Sequence, residues 1–105
     1  MKITKKNIKD ILSKVNSFEG KVINTIKYDI DKDKIDITID KVKLTLKRIK
    51  ECDIREYFSW ETIEECYLEQ VQFNNQDSYC FATCKTDPTI YVVCDEISIN
   101  IKEAK

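Results

Sequence analysis

The sequence predicts an α+β fold: one N-terminal helix followed by about six mostly antiparallel strands in a curved sheet or sandwich. Three observations lead there. Near the start, Ile8, Ile11, Leu12 and Val15 fall at i, i+3, i+4 and i+7, the spacing of one helix face. From Lys21 onward the apolar period shortens to two, the spacing of half-buried strands. Each change of parity in that alternation coincides with a polar turn sequence, as hairpins require.

The helix spans residues 4–17, with Thr4 as its N-cap and Gly20 giving the backbone freedom for the exit. Lys5, Lys6, Lys9 and Lys14 occupy the face opposite the apolar stripe. Residues 21–48 read as a three-stranded meander. Within "KIDITIDKVKLTLK" (34–47), a two-residue loop at Asp40-Lys41 places Ile39 opposite Val42, Ile37 opposite Leu44 and Ile35 opposite Leu46. A turn at "DKDK" (31–34) likewise pairs Ile30 with Ile35, Tyr28 with Ile37 and Ile26 with Ile39. One face of this meander is then buried and the other wet.

The middle of the chain is the acidic, aromatic segment 51–77. It reads as a short fourth strand at 49–54, an exposed aromatic loop at 55–61 and a long strand at 63–74, with a helix across 54–66 as the rival. "NNQD" marks the next turn. A C-terminal hairpin over 78–102 follows, with "KTDP" at its turn. Its last strand changes face at Asp95-Glu96, the mark of a β-bulge. No linker, repeat or low-complexity tract interrupts residues 1–105, which read as one domain.

Composition narrows the function. The chain has no histidine and one glycine. An imidazole base, a Ser-His or Cys-His pair and an HExxH metal site are all excluded, as is a glycine-rich phosphate loop. Acids are plentiful, but no pair stands out as catalytic, so the expectation is that the protein is not an enzyme and uses no cofactor. Five cysteines (Cys52, Cys66, Cys80, Cys84, Cys94) are odd in number, form no CxxC and are flanked by strand formers. They read as buried, reduced thiols of a cytoplasmic protein rather than zinc ligands. No apolar run approaches the roughly 18 residues a membrane-spanning helix needs, mean hydropathy is -0.45, and the basic start lacks a signal-peptide core.

Net charge is -1, yet the two halves differ in sign. Residues 1–50 carry 14 Lys+Arg against 7 Asp+Glu, and residues 51–105 carry 4 against 12. The bland consequence is self-neutralisation, with the basic meander packed beside the acidic segment. The functional consequence is a bipolar surface whose acidic, ring-bearing face receives a basic partner. Tyr57, Trp60, Glu61, Glu64, Glu65 and Glu69 are the expected contact residues. Basic partners of this kind include nucleic-acid enzymes, whose clefts must be positive to hold phosphate. Direct nucleic-acid binding is disfavoured by the total charge and by the absence of a recognition motif.

The order "SFEGKVINTIKYD…KIDITID…VKLTLKRIKECDI…IEECYLEQVQFN…YCFATC…TIYVVCDEISI" resembles the strand pattern of small bacterial immunity proteins of polymorphic toxin systems. It is similar in profile to phage anti-CRISPR proteins. The resemblance implies a non-enzymatic cytoplasmic protein that neutralises a cognate toxin or host-defence nuclease. Two alternatives stand beside it. One is a structural or assembly domain of a phage or mobile element acting as a homo-oligomer through an exposed sheet edge. The other is a thiol-redox protein using Cys80 and Cys84.

Overall fold

The computed structural model describes residues 1–15, 18–54, 63, 66–83 and 90–101. One helix, α1 (Ile8–Lys14), precedes six strands: β1 (Ile23–Asp29), β2 (Lys34–Ile39), β3 (Val42–Ile54), β4 (Tyr67–Phe73), β5 (Gln76–Ala82) and β6 (Ile90–Ile101). All six form a single open sheet in the order β1-β2-β3-β6-β5-β4, with every pairing antiparallel. Two three-stranded meanders are thus joined through their last strands, β3 and β6. The α+β class holds; a second, sandwiching sheet is absent among the described residues.

The β2–β3 hairpin follows the alternation residue for residue, pairing Ile39 with Val42, Ile37 with Leu44 and Ile35 with Leu46. Asp40 opens the two-residue loop at φ 54, the left-handed backbone that primed hairpin turns demand. All six side chains are buried. The β4–β5 hairpin turns on Asn74 and Asn75, at φ 51 and 65, between the paired residues Phe73 and Gln76. Two successive left-handed residues make a type I′ turn, and asparagine tolerates that conformation best after glycine.

Several boundaries move. The helix is shorter than 4–17 and its N-cap is Asn7 rather than Thr4. Asn7 Oδ1 accepts from the Thr4 backbone N–H at 2.7 Å, so Thr4 sits in a preceding turn. Lys14 ends the helix, well before Gly20 (φ 77) and the buried Phe18 (φ 56) shape the descent to β1. The β1–β2 register lies two residues from expectation: Tyr28 faces Ile35 and Ile26 faces Ile37. The loop comprises residues 30–33, one residue earlier than the expected 31–34, and is held by Asp29 Oδ1 accepting from Lys32 N–H at 3.2 Å. Parity survives a shift of two, but Tyr28 and Ile30 are carried past the core and stand 48% and 81% exposed.

The expected fourth strand at 49–54 is the continuation of β3, which runs unbroken for 13 residues. Arg48 at φ 56 and a register shift between Ile49 and Glu51 let it change face without ending. Buried Cys94 and Ile97, three residues apart, show the matching face change in β6, while the extra residue of the ladder lies in β3. The expected strand at 63–74 begins only at Tyr67. Ile63 instead donates to the Lys21 carbonyl at 2.7 Å and accepts from Gly20 N–H at 2.9 Å. The aromatic loop 55–61, most of the rival helix 54–66 and the "KTDP" turn lie outside the described residues.

The core lies on one side of the sheet. Ile3, Ile8, Ile11 and Phe18 pack there with Ile63, Cys66 and the inward residues of the strands, and Leu12 and Val15 lie against them half-buried. The helix stripe therefore faces the sheet as its spacing requires. Residues 1–3 lie beside β6: Met1 and Ile99 exchange backbone bonds at 2.8 and 2.9 Å, and Ile3 N–H donates to Ile97 at 2.8 Å. They extend the edge that β5, paired with Tyr91–Cys94, leaves uncovered.

Candidate interaction surface

The two meanders are offset along β3 and β6. β2 pairs only with Val42–Lys47, so the far end of β3 has no strand on that side among the described residues, and Glu51, Cys52 and Asp53 are exposed there. On the sheet face opposite the core, alternation and register create two rows across four strands. One runs Glu69, Cys80, Val93, Glu51, and the next runs Tyr67, Ala82, Tyr91, Asp53. Glu69 and Glu51 stand at the ends of their row, about 14 Å apart at three strand spacings.

Burial and charge act together in this patch. Burial pushes the Cys80 thiol up to about 11, and the charges of Glu69 and Glu51 push the same way against a hydrogen bond from the Tyr91 hydroxyl. The Tyr91 hydroxyl is raised too, by burial first and then by Cys80, Glu51 and Glu69. Two carboxylates from distant strands thus act on one tyrosine–cysteine pair. Glu51 and Glu69 form no ion pair among the described residues. A thiol held protonated is a poor nucleophile.

A charged cluster bounds it. The register shift re-aims Lys50, whose Nζ donates to Asp95 Oδ1 at 2.8 Å, Ser78 Oγ at 2.9 Å and Gln76 Oε1 at 3.2 Å, and lies 5.8 Å from the Phe73 ring centre. Arg48 reaches Asp95 at 3.4 Å and Glu96 at 3.6 Å, and Lys2 and Lys47 approach Glu96 at 3.3 and 3.8 Å. The Lys50 hydrogen bond holds Asp95 below the usual carboxylate range, and the Lys2 bond does the same for Glu96. Self-neutralisation is therefore real at this joint. Beyond it, the outer face of the first meander carries Lys27, Lys34, Lys43 and Lys47 with two aspartates, Asp29 and Asp36, and Asp36 accepts from Thr45 at 2.9 Å.

Of the contact residues expected from the sequence, Glu69 lies in this patch, half-buried on β4. Tyr57, Trp60, Glu61, Glu64 and Glu65 lie outside the described residues. Tyr91 and the Lys50 cluster were not anticipated, because both depend on β6 lying between β3 and β5. Three of the thiols, Cys66, Cys80 and Cys94, are buried as expected; Cys52 is exposed at the open end of β3, contrary to expectation, and Cys84 lies outside the described residues. Among the described residues no group of three or more His, Cys, Asp or Glu side chains is placed to hold a metal ion. No described helix is long and apolar enough to cross a membrane. No protein-family model matches the chain, and no curated protein matches it.

Proposed function

We propose that this chain is a non-enzymatic binding protein that inhibits or neutralises a basic protein in the cytoplasm, with nucleases as the target class. A toxin immunity protein or a phage inhibitor of host defence, such as an anti-CRISPR protein, fits this description. The carrying observation is that the exposed Glu51 and half-buried Glu69 flank the half-buried Tyr91, with Asp53 and Tyr67 beside it, around the buried Cys80, Ala82 and Val93. Acidic potential speeds the encounter with a positive cleft, and tyrosines provide rigid apolar contact once solvent is displaced. Charges at the rim act mainly on association rate and salt response.

The test is affinity capture with the purified chain, repeated across a salt series. A basic partner whose retention falls as salt rises, and falls again with Glu51→Lys/Glu69→Lys, supports the reading. A partner indifferent to salt and to that double reversal sinks it. Reversing Glu64 and Glu65 in parallel shows whether the rest of the acidic segment shares the contact.

A further inference from the structure

We infer that this chain forms a two-fold dimer by antiparallel pairing of the outer edge of β1 with the same edge of a second copy, in the register that sets Tyr28 opposite Tyr28. β1 is terminal in the strand order, and among the described residues its Thr25–Asp29 stretch pairs with β2 alone. An edge strand offers unpaired backbone groups, and proteins usually blunt it with lysine, proline or a bulge. Here the blunting is incomplete. Lys27 is followed two residues later by Asp29, and between and beyond them stand the exposed Tyr28 and Ile30.

The sequence around Tyr28 is complementary to itself when reversed. A two-fold axis through Tyr28, perpendicular to the sheet, places each residue opposite the one equally far on the other side of 28. Lys27 then faces Asp29 of the partner subunit, and Asp29 faces Lys27 of the partner subunit, on the outer side of the sheet. Ile26, half-buried in the single chain, comes opposite Ile30, the first residue of the 30–33 loop. The exposed Tyr28 is thereby covered and both charges matched. Moving the axis by one residue either way is worse: it sets Lys27 against Lys27, or Asp29 against Asp29.

The rest of the fold leaves room for this pairing. The helix touches β4, at the far end of the strand order from β1, and its last residue Lys14 reaches the β2–β3 turn near Ile39 and Val42. Because the axis is perpendicular to the sheet, both copies turn their cores to the same side, and the product is one continuous sheet with an isologous joint. The inference stands on the β1 edge alone and does not depend on the acidic patch.

Sedimentation equilibrium from micromolar to millimolar protein reads it directly. The expected result is a species of twice the 12.4 kDa chain, weakened about tenfold or more in Lys27→Asp and in Asp29→Lys. Mixing those two variants restores a heterodimer, since each charge then meets its opposite across the axis. Asp29 also caps its own loop, so circular dichroism checks that variant's fold. Ile30→Asp, at an 81% exposed position, weakens the dimer without touching that cap. A monomer at every concentration overturns the inference. So does a dimer indifferent to the charge variants, or one that mixing does not restore.

Discussion

Replacing Lys50 with methionine tests how the two meanders are held together. Lys50 is basic and comes from β3, yet its ammonium bonds Ser78, Gln76 and Asp95 and approaches the Phe73 ring, all outside its own meander. Methionine keeps most of the aliphatic stem and removes the charge. Ser78 is fully buried, and a hydrogen bond from a charged donor to such a group is worth roughly 1.5–3 kcal/mol. The ring contact adds about 0.5–1 kcal/mol. The Asp95 pair is discounted to about 0.5 kcal/mol because Asp95 is one-third exposed and keeps Arg48. These parts share one ammonium and do not add fully, so the expected loss is about 2–3 kcal/mol. Unfolding entropy of about 2.1 cal/mol/K per residue converts that to a fall in Tm of about 9–14 °C for a chain of this length. Calorimetry or urea titration measures it. Lys47→Met is the internal control: its side chain is 47% exposed and its ammonium lies 3.8 Å from Glu96, so the expected cost is below about 0.5 kcal/mol. Equal losses in the two variants would refute the reasoning.

Other outcomes follow from the same geometry. Asp95 and Glu96 titrate below their ordinary values of 3.8 and 4.5 when folded. Their contribution is complete above those values and disappears as pH falls through the lower folded ones; acid unfolding curves should therefore flatten in Asp95→Asn/Glu96→Gln. With Cys84 replaced by serine, a thiol reagent at neutral pH should modify Cys52 in the native protein, and reach Cys66, Cys80 and Cys94 only on unfolding. Ile37→Ala, at a fully buried position, should cost about 2–5 kcal/mol. Ile30→Ala should change stability by less than about 0.5 kcal/mol, since Ile30 is largely in water.

The sequence was most legible where structure is local. Alternation around Asp40-Lys41 determined the β2–β3 register, because a slip of one residue would turn six apolar side chains into water. It was less legible at β1, where a shift of two residues keeps every face and only loop geometry decides. The unbroken length of β3 was hidden by Arg48 and Lys50, whose irregular backbone looks in sequence like the gap between two strands. Residues 1–3 give no periodicity to read, yet they complete β6. The acidic character of 51–77 was visible in composition alone. The meeting of Glu51, Glu69 and Tyr91 was not, because it requires β6 to insert beside β3, a long-range arrangement that no local pattern encodes.

The measurement closest to the central claim is a nuclease assay on the captured partner with increasing amounts of this protein. The account predicts stoichiometric loss of nuclease activity with the native chain. It also predicts a dose curve displaced about tenfold or more for Glu51→Lys/Glu69→Lys, whose unfolding temperature stays near that of the parent. Undiminished nuclease activity at saturating protein, or identical curves for parent and variant, would contradict it.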